Sequence, residues 1–280
     1  MDSLVSTDRL QCELGAAGLV ILDATWILAG EGRDARAEHD AGHIGNSVFV
    51  DLDEISDQLS PLPHMLPSEA FFASRMRALG VGDSSRIVIY DDSPLHSAAR
   101  LWWMLRAFGA ASIALLDGGL RKWKAEGKPL LAGPEQPRPG HFTPLSERGA
   151  VADKAFVASI LDTPEWLIAD ARGAARFEGS EAEPRPGLDS GHIPGSRNLP
   201  QALLFNSDNS WKKGEALRAA FEAAGIDLER PLVTTCGSGV TAAVLLFGAH
   251  LLGKEDVRLY DGSWAEWGAD PETPKAMGAT

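Results

Sequence analysis

Cysteine is nearly absent: the chain has two in 280 residues, Cys12 and Cys236, far apart. That leaves no disulfide framework and no cysteine-based metal cluster, and it suits a reducing, cytoplasmic setting. Basic residues are outnumbered as well. Against 39 Asp and Glu there are 26 Lys and Arg, a formal net charge of −13, which argues against nucleic acid and anionic membranes as partners. An acidic substrate would therefore need cations placed locally. No apolar run is long enough to cross a bilayer, and Met1-Asp2-Ser3-Leu4 has neither the basic start nor the apolar core of a signal peptide. With 44% apolar and 23% charged residues, the composition is globular and the length suffices for two domains.

What is present is a repeat with a period of about 145 residues. Leu19–Trp26 is echoed by Trp166–Arg172, and Gly42-His43-Ile44-Gly45 by Gly191-His192-Ile193-Pro194-Gly195. Arg86–Tyr90 is echoed by Pro231–Thr235, and Asp117-Gly118-Gly119 by Asp261-Gly262-Ser263. Each copy alternates short apolar runs with helical segments. In the first, Ser6–Leu14 reads as helix, Leu19–Asp23 and Ser47–Val50 as strands, and Ser68 caps a helix through Leu79. Arg86–Tyr90 is a strand, Ser97–Phe108 a helix and Ser112–Leu116 a strand. Continuous apolar strands between helices predict an α/β fold, each copy a parallel sheet with helices on both faces. The domains fall at 1–132 and 150–280. Residues 133–149, with Pro134, Pro137, Pro139 and Pro144, are expected to form a semi-rigid surface linker. The tail after Gly268 has no periodic pattern.

The chemistry concentrates where Leu232-Val233-Thr234-Thr235 runs into Cys236-Gly237-Ser238-Gly239-Val240-Thr241 and then an Ala/Leu-rich helical segment. A cysteine at the carboxyl end of a strand stands where open α/β sheets carry their chemistry. The glycines let successive amides turn inward as an anion nest, with the following helix adding its positive end. Such a thiol is expected to ionise below the ~8.5 of a free cysteine; the alternative is a buried apolar filler. A Cys-x5-Arg phosphatase needs arginine at 242, where this chain has Ala242. The first copy has Asp91 in place of the cysteine, so it serves as a structural partner rather than a second nucleophile.

Two such units, with Gly-His-Ile and Asp-Gly motifs and a cysteine loop in the second alone, resemble the tandem rhodanese-type sulfurtransferases. The loop is similar to that of 3-mercaptopyruvate sulfurtransferases; thiosulfate-using relatives carry Cys-Arg-Lys-Gly-Val-Thr there. The resemblance implies two tandem rhodanese-like domains and a Cys236 persulfide that passes sulfur to a thiol such as thioredoxin, or to cyanide. The donor would be 3-mercaptopyruvate, with pyruvate released and no metal or organic cofactor. Thiosulfate as donor, and a non-catalytic anion-binding or redox-sensing module, are the alternatives.

The loop itself is neutral, so a dianion finds no cation there, whereas a carboxylate lying further out can be held elsewhere. By the resemblance Arg176 and Arg185 hold that carboxylate and the adjacent ketone, and Gly237, Gly239, Val240 and Thr241 hold the anionic sulfur. Either arginine could instead pair with Glu178, Glu181 or Glu183, and Arg172 could pair at the core edge. The resemblance also implies an Asp and a His reaching toward Ser238. Asp53 and His64 fill those places, with Asp51 as an alternative carboxylate, and the three would form a hydroxyl–imidazole–carboxylate relay. His64 could equally pack between prolines. His43 and His192, repeated in matching turns, and Asp23 and Asp170, repeated at strand ends, are expected to be structural. Cys12 is expected to face the core beside Leu10 and Leu14.

Overall fold

The computed structural model describes residues 2–145 and 151–279. The chain divides into two compact units. The first comprises Met1–Gln58, Leu66–Glu147 and Asn206–Trp211; the second comprises Leu59–Met65, Arg148–Phe205 and Lys212–Thr280.

The first unit holds strands β1 (Leu4–Val5), β2 (Leu19–Asp23), β3 (Val48–Phe49), β4 (Arg86–Tyr90) and β5 (Ile113–Leu116). They form one sheet in the order β1-β5-β4-β2-β3, every pairing parallel. The second unit repeats the plan with β6 (Val151–Ala152), β7 (Leu167–Asp170), β8 (Arg197–Asn198), β9 (Leu232–Thr235) and β10 (Val257–Tyr260), in the order β6-β10-β9-β7-β8. Parallel strands need helical crossovers, which cover both faces, and this is why the central strands are apolar without alternation. Ile87, Val88, Ile89 and Tyr90 are all buried, as are Leu232 to Thr235. The helix after β9, Ala242–Leu251, is buried from Ala242 through Ala249, as an apolar helix inside a domain must be.

Each sheet order contains a switch point. From β7 the chain moves outward to β8, returns to β9 on the other side, and continues to β10. The loops leaving β7 and β9 therefore diverge, opening a crevice beyond their carboxyl ends. Cys236 follows β9 and the Arg172–Arg185 segment follows β7, so topology alone brings them together.

Several expectations need correction. Strands β1 and β6 have two residues each and no readable pattern; pairing with β5 and β10 makes them strands. The strand expected at Ser47–Val50 shortens to Val48–Phe49. Cys12 is exposed: the helix Thr7–Glu13 buries Thr7 and Leu10, three residues apart, and Cys12 lies on its other face. The linker is not simply a surface strap. Residues 146–149 of it lie outside the described residues, but Phe142 is buried and its carbonyl accepts two bonds from Arg77. The tail is held by a bridge between His192 and Ala276 and by the Gly278 amide donating to Glu178 O.

In the first unit the loop after β4 is closed by its own side chain. Asp91 Oδ1 accepts from the Ser93 amide at 3.2 Å and Oδ2 from the Ala98 amide, at the start of the next helix, at 2.6 Å. Burial pushes this carboxyl up to about 7, against those two amides and with the nearby Asp23 and Asp92 adding to the rise. A raised carboxyl keeps its proton in the folded chain while the unfolded chain loses it. Stability from this group is thus complete below about pH 4 and is lost as pH climbs to about 7, by on the order of 4 kcal/mol. Urea melts of the wild type and Asp91→Asn across pH 4–8 should show the wild type losing ground to the variant over that interval and levelling off above it. A pH-independent difference would mean the carboxylate is charged throughout.

Candidate active site

Cys236, immediately after β9, is buried at 2% exposure, at the foot of its loop. The cause is a second turn folded over the first. The amides of Trp264 and Ala265 donate to the carbonyls of Cys236 and Gly237, both at 2.9 Å, and the Cys236 amide donates to Ser263 Oγ at 3.2 Å. Ser263 has φ +50°, a left-handed backbone rare for a residue with a side chain, and its hydroxyl donates in turn to Tyr260 O. Sequence reasoning passed over Ser263. The signal was the contrast between Asp261-Gly262-Ser263 and Asp117-Gly118-Gly119, where the first copy has glycine at φ +58°.

Among the described residues the amides of Gly237, Ser238, Val240 and Thr241 have no acceptor within the protein. Gly239 takes φ +79°, which turns the backbone back on itself. Gly237 is needed for a different reason: a Cβ there would lie 3.0 Å from Arg176 Nη2 and 4.0 Å from Arg185 Nη1. Both arginines thus reach the cysteine loop.

Arg176 does so from a buried network. Arg172 donates from Nε and Nη2 to Asp170, from Nη2 to Gly191 O at 2.9 Å and from Nη1 to Glu183 Oε1 at 2.7 Å. Burial works against its charge, but Asp170 and Glu183 outweigh that and raise its affinity for the proton. Its guanidinium stacks on Trp264 at 4.6 Å. Glu183 also binds Arg176, one of the pairings the sequence left open, and Arg172 takes the core-edge role.

His64 belongs to the second unit by its contacts, and its Nδ1 lies 3.0 Å from Ser238 Oγ with both side chains buried. Its backbone is left-handed, φ +60°, a strained conformation of the kind that collects at functional sites. Asp53 belongs to the first unit, where its Oδ2 accepts from Trp26 Nε1 at 3.0 Å. Asp51 caps the helix Leu52–Ile55 through the amides of Asp53 and Glu54. The repeated residues are structural, as expected: Asp23 and Asp170 accept from the amides of Thr25 and Arg172, and the imidazoles of His43 and His192 bond to the carbonyls of His39 and Phe177. No group of three or more His, Cys, Asp or Glu among the described residues is placed to hold a metal, and no helix is long and apolar enough to cross a membrane.

This geometry has relatives. The rhodanese-like domain family matches residues 6–126 and 153–270. The human 3-mercaptopyruvate sulfurtransferase is 44% identical over 262 residues, covering 93% of this chain and 88% of the relative. The bovine thiosulfate sulfurtransferase is 41% identical, covering 99% and 96%. A mitochondrial thiosulfate/3-mercaptopyruvate sulfurtransferase of Arabidopsis thaliana is 38% identical, covering 98% and 78%. Among solved structures, SseA from Escherichia coli, a 3-mercaptopyruvate sulfotransferase, superposes with a TM-score of 0.86 at 37% identity, covering 94% of this chain and 99% of that one. With two copies of the domain in tandem and relatives of this closeness along nearly its whole length, the chain belongs to the rhodanese-type sulfurtransferases.

Proposed function

We propose that this sulfurtransferase takes its sulfur from 3-mercaptopyruvate and carries it as a persulfide on Cys236. The observation supporting that donor is the placement of charge. The loop contributes only amides, while two guanidinium groups converge on its edge at Gly237. A planar fork pairs with a carboxylate through two bonds. A donor with sulfur at one end and carboxylate at the other fits that division better than thiosulfate, whose charge is compact.

In the reaction the Cys236 thiolate attacks the sulfur of the donor and forms an S–S bond. The C–S bond breaks and its electron pair passes into the enolate of pyruvate. The proton that began on the donor thiol ends on the carbon that lost sulfur, leaving the persulfide as an anion. The open amides of Gly237, Ser238, Val240 and Thr241, with Gly239 making the turn, receive that negative sulfur. His64 and Ser238, in hydrogen-bond contact, are suited to move the proton or polarise the ketone. Asp53 keeps, from the resemblance alone, the role of supporting carboxylate. The persulfide then passes to a thiol such as reduced thioredoxin, or to cyanide. Two unpaired thiols, Cys12 and Cys236, suit a reducing compartment such as the cytoplasm.

Mass spectrometry of the Cys236 peptide after incubation with 3-mercaptopyruvate should show a gain of ~32 Da, the mass of one sulfur on a nucleophilic thiolate. Its absence would favour an anion-binding module without turnover. The donor is decided by kcat/KM, expected to be higher for 3-mercaptopyruvate; a higher value for thiosulfate would reassign it. Arg176→Ala and Arg185→Ala should each raise KM for 3-mercaptopyruvate far more than for thiosulfate, and equal effects on both donors would remove the clamp. His64→Gln should lower kcat by about 100-fold with a smaller change in KM, the range of a lost proton-transfer group. An unchanged kcat would leave His64 a packing residue.

A further inference from the structure

Glu183 is a carboxylate with only 2% of its side chain exposed, placed between two arginines. Arg172 does not depend on it for neutralisation, because Asp170 already takes its Nε and Nη2 edge. Arg176 does. Among the described residues Glu183 is the sole hydrogen-bond or ion-pair partner of the Arg176 guanidinium, with Oε1 3.3 Å from Nε and Oε2 2.5 Å from Nη2. That pairing occupies the Nε–Nη2 edge and leaves Nη1 without a protein partner, in a side chain that is 24% exposed.

The carboxylate is itself anchored. Charges alternate along Asp170, Arg172, Glu183 and Arg176, and the first three side chains are all at 1–2% exposure. Arg172 stacks on Trp264, whose amide holds the Cys236 carbonyl. One rigid network therefore fixes both the loop carrying the thiol and the carboxylate that grips Arg176.

We propose that Glu183 is a positioning residue for substrate recognition: it sets the Arg176 guanidinium over Gly237 so that the donor's carboxylate meets a cation already in place. An arginine free to sample its rotamers would have to be ordered at each binding event, a cost that falls on affinity. The effect belongs to donors with a carboxylate and not to sulfur attack itself, and the role rests on the donor reading above.

The test is a cycle of variants assayed with 3-mercaptopyruvate and with thiosulfate: wild type, Glu183→Gln, Arg176→Ala and the double variant. Glu183→Gln should raise KM for 3-mercaptopyruvate about tenfold, the size of one lost charge-assisted hydrogen bond, while kcat changes less than twofold. In the Arg176→Ala background the same substitution should add nothing. Additive effects, or an equal rise in KM for thiosulfate, would show a general structural prop and overturn the role. If Glu183→Gln does not fold, Glu183→Asp takes its place in the cycle, keeping the charge but shortening the reach, with a smaller effect expected in the same pattern. A wild type that ignores 3-mercaptopyruvate would overturn the donor reading and this role with it. A wild type that uses it, with Glu183→Gln at wild-type KM, would overturn the role alone.

Discussion

Backbone amides gathered at the carboxyl end of a parallel strand, beside the start of a helix, call for an acceptor and favour a negative one. The two copies of this fold satisfy that demand differently. After β4 the chain supplies the acceptor itself: the Asp91 carboxyl occupies the amides of Ser93 and Ala98. After β9 the corresponding residue is Cys236, whose loop amides at Gly237, Ser238, Val240 and Thr241 are left open. No protein group among the described residues takes these donors, and a negatively charged sulfur is an acceptor suited to them. One copy of the fold is closed by its own carboxyl, while the other leaves its amides free of protein acceptors, as the proposed chemistry needs.

The same divergence appears at the neighbouring strand ends. In the first unit Asp23, ending β2, pairs with the His39 imidazole at 2.9 Å. In the second, Asp170 pairs with Arg172, and through Glu183 that pairing extends to Arg176 at the loop. Replacing an imidazole by a permanently charged fork turns a local strand cap into a cationic network at the switch point of the sheet. In a chain with formal charge −13 these arginines are a local concentration of positive charge, as the proposed carboxylate donor would require.

The parallel sheets could be read in the sequence because buried parallel strands are continuous apolar runs: Leu19–Asp23 and Arg86–Tyr90 are strands over the very residues their composition marks. The edge strands Leu4–Val5 and Val151–Ala152 could not, since two residues carry no pattern and pairing alone defines them. The glycine loop stood out as a motif, whereas His64 and the arginines were named through the family resemblance; the structure puts His64 beside Ser238 and both arginines beside Gly237. The depth of Cys236 was not legible, because it depends on the turn at 261–265 folding over the loop from a distant part of the chain. Cys12 was misplaced for a simpler reason: neighbouring Leu10 and Leu14 suggested a core face, but a residue two positions from Leu10 points to the far side of a helix. For Glu183 the sequence offered three acidic candidates around the arginines, and only the fold selects among them.

The central claim is that the amides of the second loop, and not those of the first, receive the transferred sulfur. It is tested most directly by following backbone amide resonances in isotope-labelled protein as one equivalent of sulfur donor is added. The account predicts that Gly237, Ser238, Val240 and Thr241 shift as Cys236 gains sulfur while Ser93 and Ala98 stay in place. Sulfur loading on Cys236 with all four resonances unmoved would contradict it.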